Sequence, residues 1–134
     1  MKYILMMTFP LASWRTQRLD LWPMEDQKRH MEFLKRFNKE LVAAGEFVRT
    51  EGLGGPEQMK VVRATKSAAP MITDGRFRES KEVLAGYWVI DVETPQRAYE
   101  LAARASAAPG RGGEPLHMPI EVHPVMFSKA CEDV

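Results

Sequence analysis

The sequence predicts an α+β fold, in which strands form an antiparallel sheet and two helices cover one of its faces. Three observations support this prediction. The chain opens on an almost continuously apolar, strand-like segment, and a long helical pattern follows it. Short extended segments, one more helical pattern and a last strand complete the chain. Such an order is typical of a mixed sheet and helix sandwich.

The first strand is predicted at "KYILMMTF" (Lys2–Phe9). Because nearly every residue in it is apolar, we expect this strand to be covered on both faces. The next segment, from Pro10 to Trp22, has no clear hydrophobic period and is predicted to be a loop.

A long helix is predicted from about Pro23 to Ala44. Proline suits the first turn of a helix, and Gly45 is a natural stop. Within the helix, residues at steps of three and four form one inward stripe, which consists of His30, Phe33, Leu34, Phe37 and Leu41.

After Gly45 the pattern changes to short extended pieces: "EFVRTEGL", "QMKVVRA" and "PMIT", which ends at Asp74. A turn at "GGP" separates the first two, so the pieces are predicted to be successive antiparallel strands. The nearly unbroken apolar segment Ala85–Val92 predicts a further strand.

The second helix is predicted at Pro95–Ala107, where small alanines permit close packing. The segment "PGRGGEP" (Pro109–Pro115) is predicted to be a flexible connection. A last strand is predicted at Pro119–Met126, and its internal Pro124 favours an edge or a strand end.

This order fits a ferredoxin-like α+β sandwich with an added β-hairpin. One domain is expected over residues 1–126, followed by a C-terminal tail over residues 127–134. Two helices cover only one sheet face, yet Lys2–Phe9 and Gly86–Val92 are apolar on both sides. We therefore expect the second face to pack on another subunit, which makes a homodimer.

Composition excludes several partners. The 134-residue chain has a formal net charge of +1, so it has no broad positive field for a nucleic acid. No apolar segment approaches the ~20 residues that span a bilayer, so no membrane is expected. The single cysteine, Cys131, cannot close an internal disulfide and lies in a polar tail, where it would be a reactive liability in an oxidising compartment, so the cytoplasm is expected. A weak likeness of Lys2–Ser13 to a signal peptide is interrupted by Pro10.

His30 is the histidine with two competing interpretations. In the first it is a packed, hydrogen-bonded residue near a helix start. In the second it is a general acid or base, which needs a carboxylate to orient it, and Asp74 is the candidate. His117 and His123 lack the spacing of a metal site, and no cofactor-binding motif is present, so neither metal nor cofactor is expected.

The stretch "TDGRFRESKEVLAGYWVIDV" resembles the signature of YCII-related proteins of the DGPF type, in which D-G-P-F-x-E-x-K-E precedes a small residue, a glycine and an aromatic strand. The segment "HMEFLKRFNKELVAAGEFVRTEGL" is similar to the first helix and following strand of that family, and "IEVHPVM" to its closing strand. The resemblance therefore covers nearly the whole chain.

The resemblance implies a ferredoxin-like subunit that dimerises through its sheets, as in the dimeric α+β barrel group. It also implies a pocket with a histidine and an aspartate as an acid/base pair, which here would be His30 and Asp74. The other motif positions are candidates for ligand binding, namely Arg76, Phe77, Glu79 and Lys81. Arg76 replaces the usual proline, and His123 replaces a common arginine, which weakens any anion-binding role of the closing strand.

Two functions follow as hypotheses. The first is a cofactor-free lyase, isomerase or hydrolase that acts on a small organic acid or lactone. The second is a non-catalytic dimer that binds a small ligand or regulates another process; the sequence leaves open whether the protein is an enzyme. A hydrogen-bonded Asp74 would raise the pKa of His30. Alternatively, Asp74 and Gly75 form only a turn, with Gly75 at positive φ, and Glu79 and Lys81 only stabilise it.

Overall fold

The structure is a computed structural model that describes residues 1–129. Residues 130–134, which include Cys131 and most of the predicted tail, lie outside this part. The α-helices and strands of the described part are β1 (Lys2–Pro10), α1 (Trp14–Gln17), α2 (Met24–Ala43), β2 (Phe47–Gly52), β3 (Lys60–Arg63), β4 (Met71–Asp74), β5 (Glu82–Asp91), α3 (Pro95–Ser106) and β6 (Ile120–Pro124).

The main sheet has four antiparallel strands in the order β2-β5-β1-β6. This arrangement confirms the predicted ferredoxin-like α+β fold. Strands β3 and β4 form a separate two-stranded sheet, which is the predicted added hairpin. One detail of the prediction was wrong, because β2 pairs with β5 and not with β3.

The long helix α2 confirms the predicted boundaries to within one residue. Gly45 adopts a φ of 73° directly after it, a conformation that costs glycine little and ends the helix. The predicted stripe faces inward: Phe37 and Leu41 are buried in the core, and His30 is only 7 % exposed.

Both long helices cover the same face of the sheet. Phe37 on α2 packs edge-on against Trp88 on β5, with ring centroids 5.5 Å apart. Leu101 and the small alanines of α3 belong to the same buried cluster as Leu5 and Ile90 of the central strands. No helix within residues 1–129 is long and apolar enough to cross a bilayer.

The opposite face of the sheet has no helix on it in the described part of the chain. Because side chains alternate along a strand, Ile4, Met6 and Val89 point to this face, and all three are half-buried. Near them the Tyr87 hydroxyl donates a hydrogen bond of 2.8 Å to Glu51. This face is therefore apolar at its centre with polar groups beside it.

The segment from Pro10 to Trp22 is not the featureless loop that the sequence predicts. It holds α1 between two short 3-10 helices, Leu11–Ser13 and Leu19–Leu21. Trp14 stacks on Phe9 at 5.2 Å, and the indole N–H of Trp22 donates to the Gln17 carbonyl at 2.9 Å. The first contact reaches outside the segment and the second accepts at a backbone carbonyl, so neither leaves a hydrophobic period in its sequence.

Candidate functional site

A large cavity of about 1380 Å³ opens beside the first half of α2. The segment around α1, the part of β5 from Ala85 to Trp88 and the residues just before the β3–β4 hairpin form its other walls. Its lining includes three tryptophans, Trp14, Trp22 and Trp88, and several residues that can bear a positive charge, among them His30, Arg76 and Arg111. Such a mixture of aromatic walls and a few polar groups is typical of small-molecule sites.

His30 lies in the wall of this cavity, and one of its ring nitrogens is already hydrogen-bonded within the protein. Its Nδ1 lies 2.9 Å from the carbonyl oxygen of Pro109, and since a carbonyl can only accept, Nδ1 carries the proton and donates it. The Trp22 ring lies nearly perpendicular to the imidazole, with 5.4 Å between the ring centroids. The tautomer is therefore fixed, and in the neutral ring Nε2 holds the free lone pair.

The Nε2 atom of His30 is open to the cavity. Within residues 1–129 it has no hydrogen-bond partner, and in that range only Nε of Arg78 is a buried side-chain nitrogen or oxygen without one. Nε2 is therefore within reach of solvent or a ligand, although only 7 % of the surface of His30 is exposed.

Burial lowers the pKa of His30 below its ordinary value, and this effect outweighs the Pro109 carbonyl, which raises it. The neutral, proton-accepting form is therefore favoured near pH 7. A hydrogen-bonded Asp74 was expected to raise the pKa of His30, whereas here the pKa is lowered. The group that meets Nδ1 is a neutral carbonyl and not a carboxylate, so it does not offset the effect of burial.

The loop that supplies this carbonyl, Pro109–Pro115, differs from the predicted flexible connection. A β-bridge joins its two ends, and the N–H of Gly110 donates to the Glu114 carbonyl at 2.7 Å. Gly112 and Gly113 adopt φ values of 71° and 80°, which favour glycine. The glycines thus serve an ordered turn, and the Gly112 N–H also donates to the distant Asp26 carboxylate of α2 at 2.9 Å, a contact that local composition does not reveal.

Asp74 makes a different set of contacts. Its carboxylate accepts the backbone N–H of Arg76 at 2.9 Å and the Arg76 Nε–H at 3.1 Å, and it meets Lys60 Nζ at 3.3 Å. The Arg76 hydrogen bonds hold the pKa of Asp74 well below its usual range. The predicted turn chemistry, in which Asp74 bonds backbone two residues onward, is confirmed.

The reason predicted for Gly75 was wrong, because its φ is not positive. What requires glycine is a close backbone approach: a Cβ here would lie 2.4 Å from the Pro56 carbonyl oxygen and 2.9 Å from that of Met59. The Gly75 N–H donates to the same Met59 carbonyl at 2.9 Å. The turn is thus packed directly on the preceding loop.

The structure does not bring His30 and Asp74 into contact within one subunit. Across residues 1–129 no hydrogen bond or ion pair joins them, because Pro109 occupies His30 while Arg76 and Lys60 occupy Asp74. His30 lines the cavity and Asp74 does not. Among the other motif residues, Arg76 lines the cavity.

The remaining motif residues lie outside the cavity wall. Phe77 is 73 % exposed and packs under the Arg76 guanidinium, 5.6 Å from its ring centroid. Glu79 and Lys81 are exposed. A role for these three in ligand binding stays a prediction.

The sequence profile of the YCII-related domain matches residues 1–112, which is most of the chain and includes both His30 and the Asp74 turn. The chain belongs to the YCII-related family. A comparison with curated proteins finds no match. The resemblance read from the sequence is confirmed at the level of the family.

Charge in the cavity of this YCII-related protein favours an anion. Its lining has more cations (Arg15, Arg18, Lys35, Arg76, Arg111) than carboxylates (Asp20, Glu51, Glu57). Two of the cations already pair: Arg18 lies 2.8 Å from Asp20, and Arg76 meets Asp74. Among residues 1–129 the other three cations have no carboxylate partner.

The other histidines do not assemble a metal site in the described chain, where no three side chains of the metal-binding types are grouped. His117 lies in the cavity wall, with an unusual φ of 51°. His123 lies on β6, with Nε2 2.9 Å from a carboxylate oxygen of Glu121.

Reasoning from the sequence missed Pro109, whose carbonyl meets His30, and Arg111, which lines the cavity. It also missed Asp26, whose carboxylate accepts the Gly112 N–H of the same loop. In the sequence, Asp26 indicates only the start of a helix, because acidic residues favour the first turn. Pro109 and Arg111 lie in the glycine-rich segment that was interpreted as a connector. A carbonyl oxygen has no side-chain signature, so no pattern could have identified the partner of His30.

Proposed function

We propose that this chain is a cofactor-free acid/base enzyme, of the lyase, isomerase or hydrolase type, that acts on a small organic acid or lactone in the His30 cavity. The observation that supports it most is the state of His30. Its tautomer is set by the Pro109 carbonyl, and its Nε2 lone pair is open to the cavity. A neutral imidazole held in this way suits proton transfer near pH 7.

In this proposal Nε2 takes a proton from a carbon next to a carbonyl group, or from the water that attacks a lactone. The ring becomes imidazolium, and its Nδ1–H continues to donate to the Pro109 carbonyl. Nε2 then returns the proton to the product. A positioned acid or base of this kind contributes about 10² to 10⁴-fold to a rate.

Asp74 takes a supporting role in the proposal. It holds the Arg76 guanidinium, which lines the cavity, through a hydrogen bond of 3.1 Å to Nε and a capped turn. Phe77, Glu79 and Lys81 follow on the same DGPF-type motif, and we propose that they border the ligand entrance.

The function can be tested without knowing the substrate. A panel of lactones and small keto and hydroxy acids is incubated with the protein in D₂O, and hydrolysis, isomerisation and exchange of C–H for deuterium are followed by ¹H NMR. Turnover by the wild type should fall at least ~100-fold in His30→Gln. His117→Gln is the matched control, because His117 also lines the cavity, and it should retain most activity.

Equal rates in the wild type and His30→Gln would overturn the proposal. Binding of panel compounds without any turnover would instead favour the second function, a non-catalytic dimer that binds or responds to a small ligand through the same cavity.

We further propose that the protein is a homodimer in which the open sheet face is buried. Ile4, Met6 and Val89 supply an apolar centre that a second copy would cover. Light scattering at micromolar concentration should give a dimer, and Val89→Lys should weaken it. A wild-type monomer would refute this. A cytoplasmic location also belongs to the proposal, because a lone cysteine offers no internal disulfide.

A further inference from the structure

The Pro109–Pro115 loop touches the candidate site at two points. Its Pro109 carbonyl holds the ring of His30, and its Arg111 side chain lines the same cavity. One Arg111 Nη2–H donates to the backbone carbonyl of Thr16 at 3.2 Å. That contact uses one of the five N–H donors of a guanidinium, and a backbone carbonyl leaves the positive charge uncompensated.

Helix α2 anchors this loop through a buried carboxylate. The Asp26 side chain is 5 % exposed, and its Oδ2 accepts the backbone N–H of Gly112 at 2.9 Å. Its Oδ1 lies 3.4 Å from Nη1 of Arg29, which in turn lies against Gly113. The N–H that Asp26 holds belongs to the residue immediately after Arg111.

Asp26 and His30 are four residues apart on α2 and therefore lie on one face of the helix. The two hydrogen bonds between the loop and α2 thus involve residues on adjacent turns of the helix. The same helix face fixes the His30 tautomer through Pro109 and the course of the backbone that carries Arg111.

We propose that Arg111 binds the carboxylate of the ligand and that Asp26 is its positioning residue, so that the ligand lies beside Nε2 of His30. The inference deepens the proposed function and rests on the cavity being its ligand site. The ligand class it names is a flat monocarboxylate with an apolar ring.

The chemistry of the cavity supports each part of this ligand. The planar guanidinium fork matches a carboxylate, and charge-assisted hydrogen bonds are about twice as strong as neutral ones. The aromatic walls, which include Trp14, Trp22 and Trp88, suit a flat apolar body. Arg15 and Lys35 also line the cavity, but neither lies on the loop that holds His30.

The test uses benzoate as the probe and neutral benzamide as its isostere, in ¹H–¹⁵N NMR titrations of the full chain. Benzoate should shift the signals of Gly112 and His30, and benzamide should bind at least ~10-fold more weakly because it lacks the charge. Arg111→Gln should weaken benzoate at least ~10-fold, whereas Lys35→Gln, which also removes one cavity cation, should weaken it less than ~3-fold.

Equal losses in Arg111→Gln and Lys35→Gln would overturn the role of Arg111, because they would indicate only the general charge of the cavity. Benzamide that binds as well as benzoate, or the absence of any benzoate shifts at millimolar concentration, would overturn the ligand class.

The positioning role of Asp26 has its own readout. In the wild type, the ¹⁵N signals of His30 should report Nδ1 protonated and Nε2 free; folded Asp26→Ala should show a mixture of tautomers and weaker benzoate binding. Asp26→Asn retains an oxygen acceptor for Gly112 and should restore the tautomer. If Asp26→Ala does not fold, Asp26→Ser provides the comparison. A folded variant with the wild-type tautomer and benzoate affinity would overturn this role.

These outcomes are separable from those of the D₂O assay. Turnover without benzoate binding would remove the inference about Arg111 and leave the acid/base function. Benzoate binding that depends on Arg111, without turnover of any compound, would retain the inference and favour the non-catalytic alternative.

Discussion

Two aspartates in this molecule each accept a backbone N–H at 2.9 Å, and they do so in opposite circumstances. Asp74 holds the amide of Arg76, two residues away, with a side chain that is 23 % exposed. Asp26 holds the amide of Gly112, 86 residues away, with a side chain that is 5 % exposed. The first makes a local turn, and the second joins a helix to a distant loop.

The difference shows which of the two aspartates lies near the surroundings of His30. The local turn belongs to the recognisable motif, yet its carboxylate is occupied by Arg76 and Lys60. The distant anchor belongs to no motif, yet it orders the loop whose carbonyl fixes His30. The proton on Nδ1 of His30 thus meets a carbonyl that lies 79 residues away in the chain and in no motif.

The largest effect on stability is expected when the local turn is broken at its tightest point. Gly75→Val places a side chain against the Pro56 and Met59 carbonyls, so we expect a loss of about 2 to 3 kcal/mol in the free energy of unfolding in urea. Gly52→Val is the matched control, since a Cβ there meets nothing within 4 Å, and it should change stability by less than ~0.5 kcal/mol. Similar losses in both variants would show that packing on the loop is unimportant.

The next largest effect is expected at the distant anchor. Asp26→Ala leaves the Gly112 N–H without its partner, which should cost about 1 to 3 kcal/mol in the same urea measurement. Asp74→Asn should lower the free energy of unfolding by less than Asp26→Ala does, because Asn keeps an oxygen for the Arg76 N–H and the site is more exposed. A larger loss of stability in Asp74→Asn than in Asp26→Ala would show that the local turn, and not the distant anchor, contributes more to stability.

A smaller effect concerns pH. Because burial lowers the pKa of His30 in the folded state, the unfolded chain binds a proton first as pH falls. The contribution of neutral His30 to stability is therefore complete above about pH 6.5 and decreases below it. Urea midpoints at pH 7.5 and 5.5 should differ more in the wild type than in His30→Gln.

Asp74→Asn is the control for that measurement. The lowered pKa of Asp74 contributes stability above the ordinary aspartate value of about 3.9 and loses it only at lower pH. Its removal should therefore leave the difference between pH 7.5 and 5.5 unchanged. A flattening equal to that of His30→Gln would link the two residues.

The smallest expected effect is on the titration of His30 itself. Followed by NMR, its ring signals should give a pKa below about 6.5, and the curves of the wild type and Asp74→Asn should superimpose. A lower pKa of His30 in Asp74→Asn would contradict this expectation and would restore Asp74 as the acid/base partner of His30.

Sequence alone determined the elements whose signals are local. The apolar stripe predicted α2 almost to the residue, the order of elements predicted the ferredoxin-like sheet, and the motif around Asp74 predicted both the turn and the family. In each case the period or the turn chemistry depends on residues close together in the chain.

Only the tertiary structure decided the surroundings of His30. The Pro109 carbonyl lies 79 residues from His30, and Asp26 anchors a glycine in the same loop. A backbone carbonyl or amide is the same group at every position, so no residue type marks it as a partner. Which of these groups meets His30 depends on how α2 packs against the loop after α3, and that packing exists only once the chain has folded.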